Sequence, residues 1–395
     1  SILLRGNTQM SIRLSARHEW VLQSEIRNMS IECDRVGGIN LSQGVCDTEV
    51  PPEVCEGAKR AIDEGMNTYT RYDGIDELRE AIAWKQKAFY GQDVDAEREI
   101  VVSAGATGAL YCACLALLDP GDEVILFEPF YGYHLSTVIA TLAVPRFVKT
   151  AAPDWRFTEA SLEACVTPRT RAIVVNTPAN PTGKVYSRTE LDLIARFAAN
   201  HDLFVFTDEI YEHFLYDGRT HVAPASLPGM AERTITISGF SKTFSITGWR
   251  IGYCICDARW AQTIGYFNDL VYVCAPAPLQ AGVARGVGAL GADYYRRIAL
   301  EHELKRDRLC AALAGAGLSP HVPEGAYYVL ADMSRVPGAS SKERAMELLR
   351  RTGVAAVPGD AFFNGTGGET LARFCFAKKD DELEEACRRI ERLTR

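Results

Sequence analysis

The chain has 395 residues, of which 47% are hydrophobic and 24% are charged, so an ordinary globular protein with two or three domains is expected. Its formal net charge of -8, without a lysine- or arginine-rich run, argues against a nucleic-acid partner. No stretch of 18 apolar residues occurs, and residues 1–13 lack the apolar core of a signal peptide, so no membrane association is expected.

The 12 cysteines are scattered along the chain and form no C-x-x-C pair. Cys112 and Cys114 lie two residues apart in an apolar run, and so do Cys254 and Cys256. We therefore expect buried, reduced thiols instead of disulfides or a metal site. A reducing, cytoplasmic compartment is the location that this cysteine usage favours.

The predicted elements begin with an amphipathic helix over 15–29, a strand over 39–42, and helices over 51–62 and 76–89. From residue 99 the pattern alternates. Strands are predicted at 99–103, 123–127, 171–176, 203–207, 234–238 and 250–256, and helices at 107–118, 130–142 and 187–200. Short apolar strands separated by helices indicate a mostly parallel sheet that is covered on both faces.

The character of the chain changes near residue 280. A long charged helix over 292–314 is followed by short strands at 326–331 and 373–376 and by a closing helix over 380–393. This mixture predicts a second, smaller α+β domain. Because the helix over 15–29 precedes the alternating region, we expect it to pack with the second domain. The expected division is a large domain over 46–285 and a small domain made of 13–45 and 286–395.

The first chemical signal is the segment 238–252, which reads S-G-F-S-K-T-F-S-I-T-G-W-R-I-G. It places Lys242 just after a predicted strand and Arg250 eight residues later. An amine and a fixed cation among small residues suit a phosphorylated aldehyde such as pyridoxal phosphate. The lysine would form an imine with the aldehyde, and the arginine would bind the phosphate. Since most lysines are solvated surface charges, this interpretation needs support from other segments.

A glycine-rich junction supplies the first support. The sequence S-A-G-A-T-G at 103–108 joins a predicted strand to a helix, where free N–H groups and the helix dipole suit an anion. A plain packing turn would look the same. The segment is neither G-x-G-x-x-G nor a Walker sequence, so a dinucleotide or nucleoside triphosphate is not indicated.

The segment D-E-I-Y at 208–211 follows an apolar strand, so Asp208 is expected at the carboxyl edge of a parallel sheet. A buried carboxylate needs a cation, and a protonated pyridine nitrogen is one. Tyr211 would then lie near enough to donate to the phenolate oxygen of the ring. The alternative is that Asp208 caps a helix.

Two further segments point to substrate and cofactor contacts. In N-P-T-G at 180–183, proline-constrained backbone would hold the Asn180 amide toward the cofactor, although a structural turn is the alternative. Arg373 lies between apolar residues on a predicted strand. It is either an edge charge or a buried fork that holds the α-carboxylate of a substrate.

Together these segments resemble the class I/II aminotransferases, which are fold type I pyridoxal-phosphate enzymes that include aspartate, aromatic and kynurenine aminotransferases. The resemblance covers nearly the whole chain from about Arg13, and the motifs occur in the family's order. It implies an α/β fold, in which a large domain has a mostly parallel seven-stranded sheet flanked by helices and a smaller α+β domain comes from both chain ends. It also implies ping-pong transfer of an amino group between an L-amino acid and a 2-oxo acid.

The resemblance assigns a role to each candidate residue. The catalytic residues that it implies are Lys242, which holds the cofactor and moves the proton, Asp208 at the pyridine nitrogen, and Tyr211 at the phenolate oxygen. The other cofactor contacts that it implies are Ala106, Thr107, Ser241 and Arg250 at the phosphate, Tyr131 against the ring and Asn180 at the phenolate oxygen. The substrate carboxylate would be bound by Gly44, Asn180 and Arg373. Tyr69 would reach the phosphate of a neighbouring subunit, so a homodimer with shared active sites is expected.

Some features leave alternatives open. Gly239 stands where many relatives have serine, so one phosphate contact is either lost or supplied by Ser238. Thr107 stands where some dicarboxylate-specific relatives have lysine, which weakens an aspartate interpretation. An aromatic substrate would be suited by four tyrosines, Tyr69, Tyr72, Tyr131 and Tyr133.

Two rival functions remain. One is a carbon–sulfur β-lyase on the same scaffold. The other is a transcription regulator, which would need a DNA-binding domain, and the residues before Arg13 leave no room for one.

Overall fold

The computed structural model describes residues 12–21 and 24–394. The helices in this part of the chain are α1 Glu25–Arg35, α2 Pro52–Asp63, α3 Asp76–Tyr90, α4 Gly105–Leu117, α5 Gly132–Ala140, α6 Glu159–Glu163, α7 Arg188–Asn200, α8 Ala258–Tyr272, α9 Ala277–Ala289, α10 Ala292–Gly315, α11 Ser341–Thr352 and α12 Asp380–Ile390. The strands are β1 Ile39–Asn40, β2 Ile100–Ala104, β3 Glu123–Glu128, β4 Val144–Lys149, β5 Thr170–Asn176, β6 Phe204–Asp208, β7 Thr234–Gly239, β8 Ile251–Ile255, β9 Ser319–His321, β10 Tyr328–Asp332, β11 Val354–Ala355, β12 Val357–Pro358 and β13 Leu371–Cys375.

The central element is a seven-stranded sheet in the order β2-β8-β7-β6-β5-β3-β4. Strand β8 runs antiparallel to β2 and β7, and the other neighbouring strands are parallel. The residues of β3 and β7 are buried throughout, because helices cover both faces of the sheet. The predicted α/β architecture, with its mostly parallel seven-stranded sheet, is therefore confirmed.

The carboxyl edge of this sheet collects polar residues from adjacent strands. Asn176 at the end of β5 pairs in register with Asp208 at the end of β6, and Asp208 pairs with Ile237 of β7. Connections that leave the carboxyl ends of parallel strands are where open α/β sheets form their binding clefts. The topology therefore brings the motifs around residues 176, 208 and 242 to one edge.

A second layer combines both ends of the chain. Strands β12, β13, β10 and β9 form an antiparallel sheet, and β1 pairs in parallel with β11. Helix α1 packs on this layer through Met29 and Cys33, which share a buried cluster with Leu349 of α11. The segment 25–40 is thus held against the C-terminal part of the chain.

One predicted helix differs from the structure. The amphipathic pattern over 15–29 predicted a continuous helix, but the structure has a 3₁₀ turn at Ala16–Glu19 and a helix that begins at Glu25. Residues 22–23 of the predicted helix lie outside the described residues. The hydroxyl of Ser24 accepts a hydrogen bond from the Ile26 N–H at 3.2 Å, so a new N-cap starts α1 at this point.

None of the helices within residues 12–21 and 24–394 is both long and apolar enough to cross a membrane.

Candidate active site

A cavity of about 800 Å³ lies between the carboxyl edge of the large sheet, α1, and strands β10 and β13. Its lining includes eleven of the candidate residues: Gly44, Ala106, Thr107, Tyr131, Asn180, Asp208, Tyr211, Ser241, Lys242, Arg250 and Arg373. The remaining candidate, Tyr69, is 80% exposed and does not line the cavity. The structure therefore brings the separate motifs of the sequence together at one site.

Lys242 lies in the turn that follows β7 and is partly buried. Its Nζ donates a hydrogen bond to the carbonyl oxygen of Gly44 at 2.9 Å. Burial lowers the pKa of the Lys242 amine to about 8, and the neighbouring Arg373 and Arg250 guanidinium groups also favour the neutral form, whereas Cys375 and Cys46 act in the opposite direction. An amine with a pKa near neutrality can act as a nucleophile and as a base.

Asp208 is held by hydrogen bonds to both of its carboxylate oxygens. The Nε2 atom of His134 lies 2.7 Å from Oδ2, and the backbone N–H of Ile210 donates to Oδ1 at 3.2 Å. The residues after Asp208 form turns, so the carboxylate does not cap a helix. Its side chain is 14% exposed and faces the cavity, which leaves it able to meet a cation there.

His134 is a site residue that the sequence analysis missed. It lies in the first turn of α5, three residues after Tyr131, and the two rings meet edge to face with centroids 5.2 Å apart. The segment E-P-F-Y-G-Y-H after β3 was the available signal, but nothing in it shows that the histidine reaches a carboxylate on another strand.

Arg373 is fully buried, so it is not an edge charge of the sheet. Its Nη1 donates to Asn180 Oδ1 at 2.8 Å, and its Nη2 donates to the Ser42 carbonyl at 2.7 Å. Its Nε is buried without a hydrogen-bond partner among the described residues. The guanidinium also lies 4.2 Å from the centre of the Tyr328 ring. A buried, partly satisfied cation of this kind suits an anionic ligand.

Tyr328 is the second site residue that the sequence analysis missed. Its hydroxyl lies 2.8 Å from that of Tyr211, and burial raises the pKa of both phenols, that of Tyr328 to about 12. Both phenols therefore stay protonated and can donate hydrogen bonds at neutral pH. A Cβ on Gly44 would lie 2.0 Å from the Tyr328 hydroxyl, so this approach requires glycine at position 44.

Arg250 stands at the N-terminal end of α4. Gly105 has φ +74°, and a Cβ there would lie 2.3 Å from Arg250 Nη2. A Cβ on Gly252 would lie 2.4 Å from the backbone nitrogen of Ala106, so glycine allows β8 to approach the helix. The first N–H groups of a helix lack partners within the helix. The guanidinium and this helix end thus present positive charge to the same part of the cavity.

The position of Gly239 has a packing explanation. A Cβ there would lie 2.9 Å from the Cα of Gly252 and 3.0 Å from the carbonyl oxygen of Ile251. Ser238 is fully buried, and its hydroxyl donates to Glu212 Oε1 at 2.9 Å. Because Ser238 points into this buried network, it does not replace the contact that a serine at position 239 would make.

The fold and this cleft define an α/β protein whose cavity joins a lysine amine of lowered pKa, a carboxylate and a buried arginine. The family model for aminotransferase class I and II matches residues 36–390, so the chain belongs to this family and is an aminotransferase.

The relatives agree with this assignment. The chain is 39% identical over 379 residues to a probable N-succinyldiaminopimelate aminotransferase of Mycobacterium tuberculosis, covering 92% of this chain and 94% of that protein. It is 38% identical to kynurenine–oxoglutarate transaminase 3 of Mus musculus, covering 88% of this chain and 83% of that protein. The solved structure of N-succinyldiaminopimelate aminotransferase from M. tuberculosis superposes with a TM-score of 0.93 at 36% identity, covering 96% of this chain and 100% of that one. These names favour amino transfer over the β-lyase alternative.

Proposed function

We propose that this aminotransferase binds pyridoxal phosphate in the described cavity and uses Lys242 as its catalytic base in ping-pong transfer between an L-amino acid and a 2-oxo acid. The observation that carries the proposal is the meeting of Lys242, Asp208 and Arg373 in one cavity, although they come from three distant segments. The family to which the chain belongs uses this cofactor, and the donor set of the cavity suits it.

The residues present fit each part of the cofactor. The helix end at Ala106 and Thr107, with Ser241 and Arg250, offers donors and positive charge to a phosphate. Asp208 offers a carboxylate to the pyridine nitrogen, and Tyr131 offers a ring to stack on. When bound, the cofactor supplies an aldehyde and a cationic ring that accepts electrons from the substrate.

The protein's own groups then divide the work. Arg373 would hold the α-carboxylate of the substrate, with the Asn180 amide and the region of Gly44 beside it. Lys242 Nζ, with its lowered pKa, would take the proton from the substrate Cα and deliver it to the carbon that was the aldehyde carbon of the cofactor. Tyr211, which stays protonated, and Asn180 would donate hydrogen bonds to the phenolate oxygen.

We also propose a homodimer in which Tyr69 reaches the neighbouring active site. Support comes from the exposure of Tyr69 and of Tyr266 in α8, whose ring centre lies 5.7 Å from that of Tyr72. A cytoplasmic location is proposed because all 12 cysteines are free. The domain division at 46–285 against 13–45 and 286–395 is proposed on the separate sheets of the two layers.

A panel of amino donors tests the proposed function. The purified protein, supplied with pyridoxal phosphate, is mixed with kynurenine, N-succinyldiaminopimelate, aspartate or an aromatic amino acid, with 2-oxoglutarate as acceptor. We expect an oxo acid and glutamate to form in equal amounts with at least one donor. If ammonia and pyruvate form from cystathionine without an acceptor while the whole panel stays inactive, the β-lyase alternative replaces this proposal.

Replacing Arg373 tests carboxylate binding. Arg373→Ala is expected to raise KM for the amino donor by the equivalent of about 2–5 kcal/mol, the usual cost of orphaning a buried, hydrogen-bonded charge. Steady-state kinetics give KM and kcat separately, and Arg373→Lys is expected to recover only part of the loss because an ammonium cannot form the fork. Thermal unfolding controls for folding. A folded variant with an unchanged KM would show that another residue binds the carboxylate.

A further inference from the structure

Helix α1 forms the wall of the cavity that faces the sheet edge. Ile26, Arg27, Ser30, Ile31 and Asp34 all line the cavity, and their spacing of three, four and seven residues places them on one side of the helix. This side of α1 carries a cation near its N-terminal end, a hydroxyl in the middle and a carboxylate near its C-terminal end. None of these residues was identified from the sequence.

Arg27 is the cation of this wall, and its guanidinium has no protein partner among the described residues. Its side chain is exposed toward the cavity, and no described residue forms an ion pair or a side-chain hydrogen bond with it. Arg35 on the same helix, by contrast, pairs with Glu32 at 2.5 Å and does not line the cavity. The nearby carboxylate of Glu25 is already bound by Lys342 at 2.5 Å and by the amide of Asn28 at 3.0 Å.

A chain of hydrogen bonds fixes where Arg27 stands relative to Arg373. The amide of Asn40 donates to the hydroxyl of Ser30 at 3.0 Å, and the hydroxyl of Ser42 donates to Asn40 Oδ1 at 2.6 Å. The carbonyl of Ser42 in turn accepts from Arg373. Ser30 therefore stands beside the end of the cavity that holds the α-carboxylate.

Arg27 lies three residues before Ser30, which is about 4.5 Å of helix rise farther toward the N-terminus of α1. Its side chain also leans in that direction, as helical side chains do. A substrate anchored at Arg373 would extend its side chain along this side of α1, from Ser30 toward the second guanidinium of Arg27. Asp34 lies near the opposite end of this wall, about 10 Å of helix rise from Arg27, so along α1 an anion is favoured near Arg27 and disfavoured near Asp34.

We propose that Arg27 binds a second carboxylate at the far end of the substrate side chain, and that the enzyme prefers dicarboxylic amino and 2-oxo acids for this reason. The inference rests on the proposed function, because it places the α-carboxylate at Arg373. A planar guanidinium binds a carboxylate through two parallel hydrogen bonds, which gives both affinity and direction. The cation thus comes from α1, whereas the side chain of Thr107 provides none.

Binding of unreactive acids to the cofactor-loaded enzyme tests the proposal without turnover. Glutarate and pentanoate have the same five-carbon chain, but only glutarate carries a second carboxylate. We expect calorimetry to show tighter binding of glutarate by the wild-type enzyme. Arg27→Met is expected to lower the ratio of glutarate to pentanoate affinity by about 10- to 100-fold, because a hydrogen bond to a charged group contributes about 1.5–3 kcal/mol. The affinity for pentanoate should stay unchanged. Arg27→Lys is expected to retain part of the preference.

Arg35→Met is the matched control, since it removes an arginine from the same helix outside the cavity. It is expected to leave both affinities unchanged. The ratio of kcat/KM for 2-oxoglutarate to that for 2-oxopentanoate is likewise expected to fall in Arg27→Met and to stay unchanged in Arg35→Met. Equal binding of the two acids by the wild-type enzyme, or equal weakening of both by Arg27→Met, would overturn the proposal. These affinities are read without catalysis, so an inactive enzyme would count against the proposed function and not against the role of Arg27.

Discussion

Lys242→Ala is expected to lower kcat/KM for amino transfer by at least about 10⁴-fold, because it removes both a covalent nucleophile and a general base, each of which contributes orders of magnitude. The wild-type amine is suited to both tasks, since burial and two neighbouring guanidinium groups lower its pKa to about 8. Alanine leaves a shortened side chain in a cavity that water can enter, so little change in stability is expected.

The measurement combines activity with detection of the covalent link to the cofactor. Wild-type enzyme reduced with borohydride should carry a cofactor adduct at residue 242, as found by peptide mass mapping, and Lys242→Ala should carry none. Lys242→Arg keeps the positive charge but cannot form the link or lose its proton at neutral pH, so it should be as inactive as the alanine variant. Retention of a tenth of the wild-type rate by either folded variant would show that Lys242 is not the catalytic base.

Much of the large sheet could be predicted from sequence because its strands are short apolar runs that are buried on both faces. Strands β2, β3, β5, β6, β7 and β8 all begin and end close to the predicted residues. Helix α7 was also predictable. Its N-cap Ser187 accepts from the Glu190 N–H at 3.3 Å, and Glu190 accepts from the Ser187 N–H at 2.9 Å, as the capping-box pattern indicates.

Two of the missed elements, β4 and α9, have weak local signals that long-range packing overrides. Strand β4 contains Pro145, which an edge strand tolerates, and it lies at the end of the sheet. Helix α9 contains several glycines that would argue against a helix. The structure explains one of them, because a Cβ on Gly282 would lie 2.7 Å from the Val54 carbonyl of α2, so glycine allows the two helices to pack closely.

The same distinction applies to the candidate site. Residues in dense local motifs, such as Lys242 and Asp208, could be identified from sequence because the neighbouring residues define their setting. His134 and Tyr328 lie in segments without such motifs, and their importance comes from partners in other segments, Asp208 and Tyr211. Arg27 matters because the fold places its helix at the cavity. No spacing along the chain encodes those contacts, so only the fold reveals them.

Asp208→Asn is expected to lower kcat by roughly 100-fold to several thousand-fold, because removing one partner of a buried charge pair costs about 3–5 kcal/mol. The amide keeps the shape of the carboxylate and can still accept from the Ile210 N–H, as Asp208 Oδ1 does at 3.2 Å. It cannot stabilise a proton on the cofactor ring nitrogen, so the ring would accept electrons poorly. Substrate binding should change much less, since Arg373 is untouched.

Glu209→Gln is the matched control, because Glu209 is the next residue but faces away from the cavity toward His221 and Thr207, at 2.6 Å and 2.5 Å. This variant tests whether any change of charge in this turn lowers activity. Thermal unfolding shows whether each variant is folded. A spectral titration of the bound cofactor supplies a second readout, in which Asp208→Asn should lower the pKa of the ring nitrogen while Glu209→Gln leaves it unchanged. If the two folded variants lose kcat equally, the loss comes from the turn as a whole. A selective loss in Asp208→Asn, together with the lowered ring pKa, would mean that the carboxylate at the end of β6 acts by holding the proton on the ring.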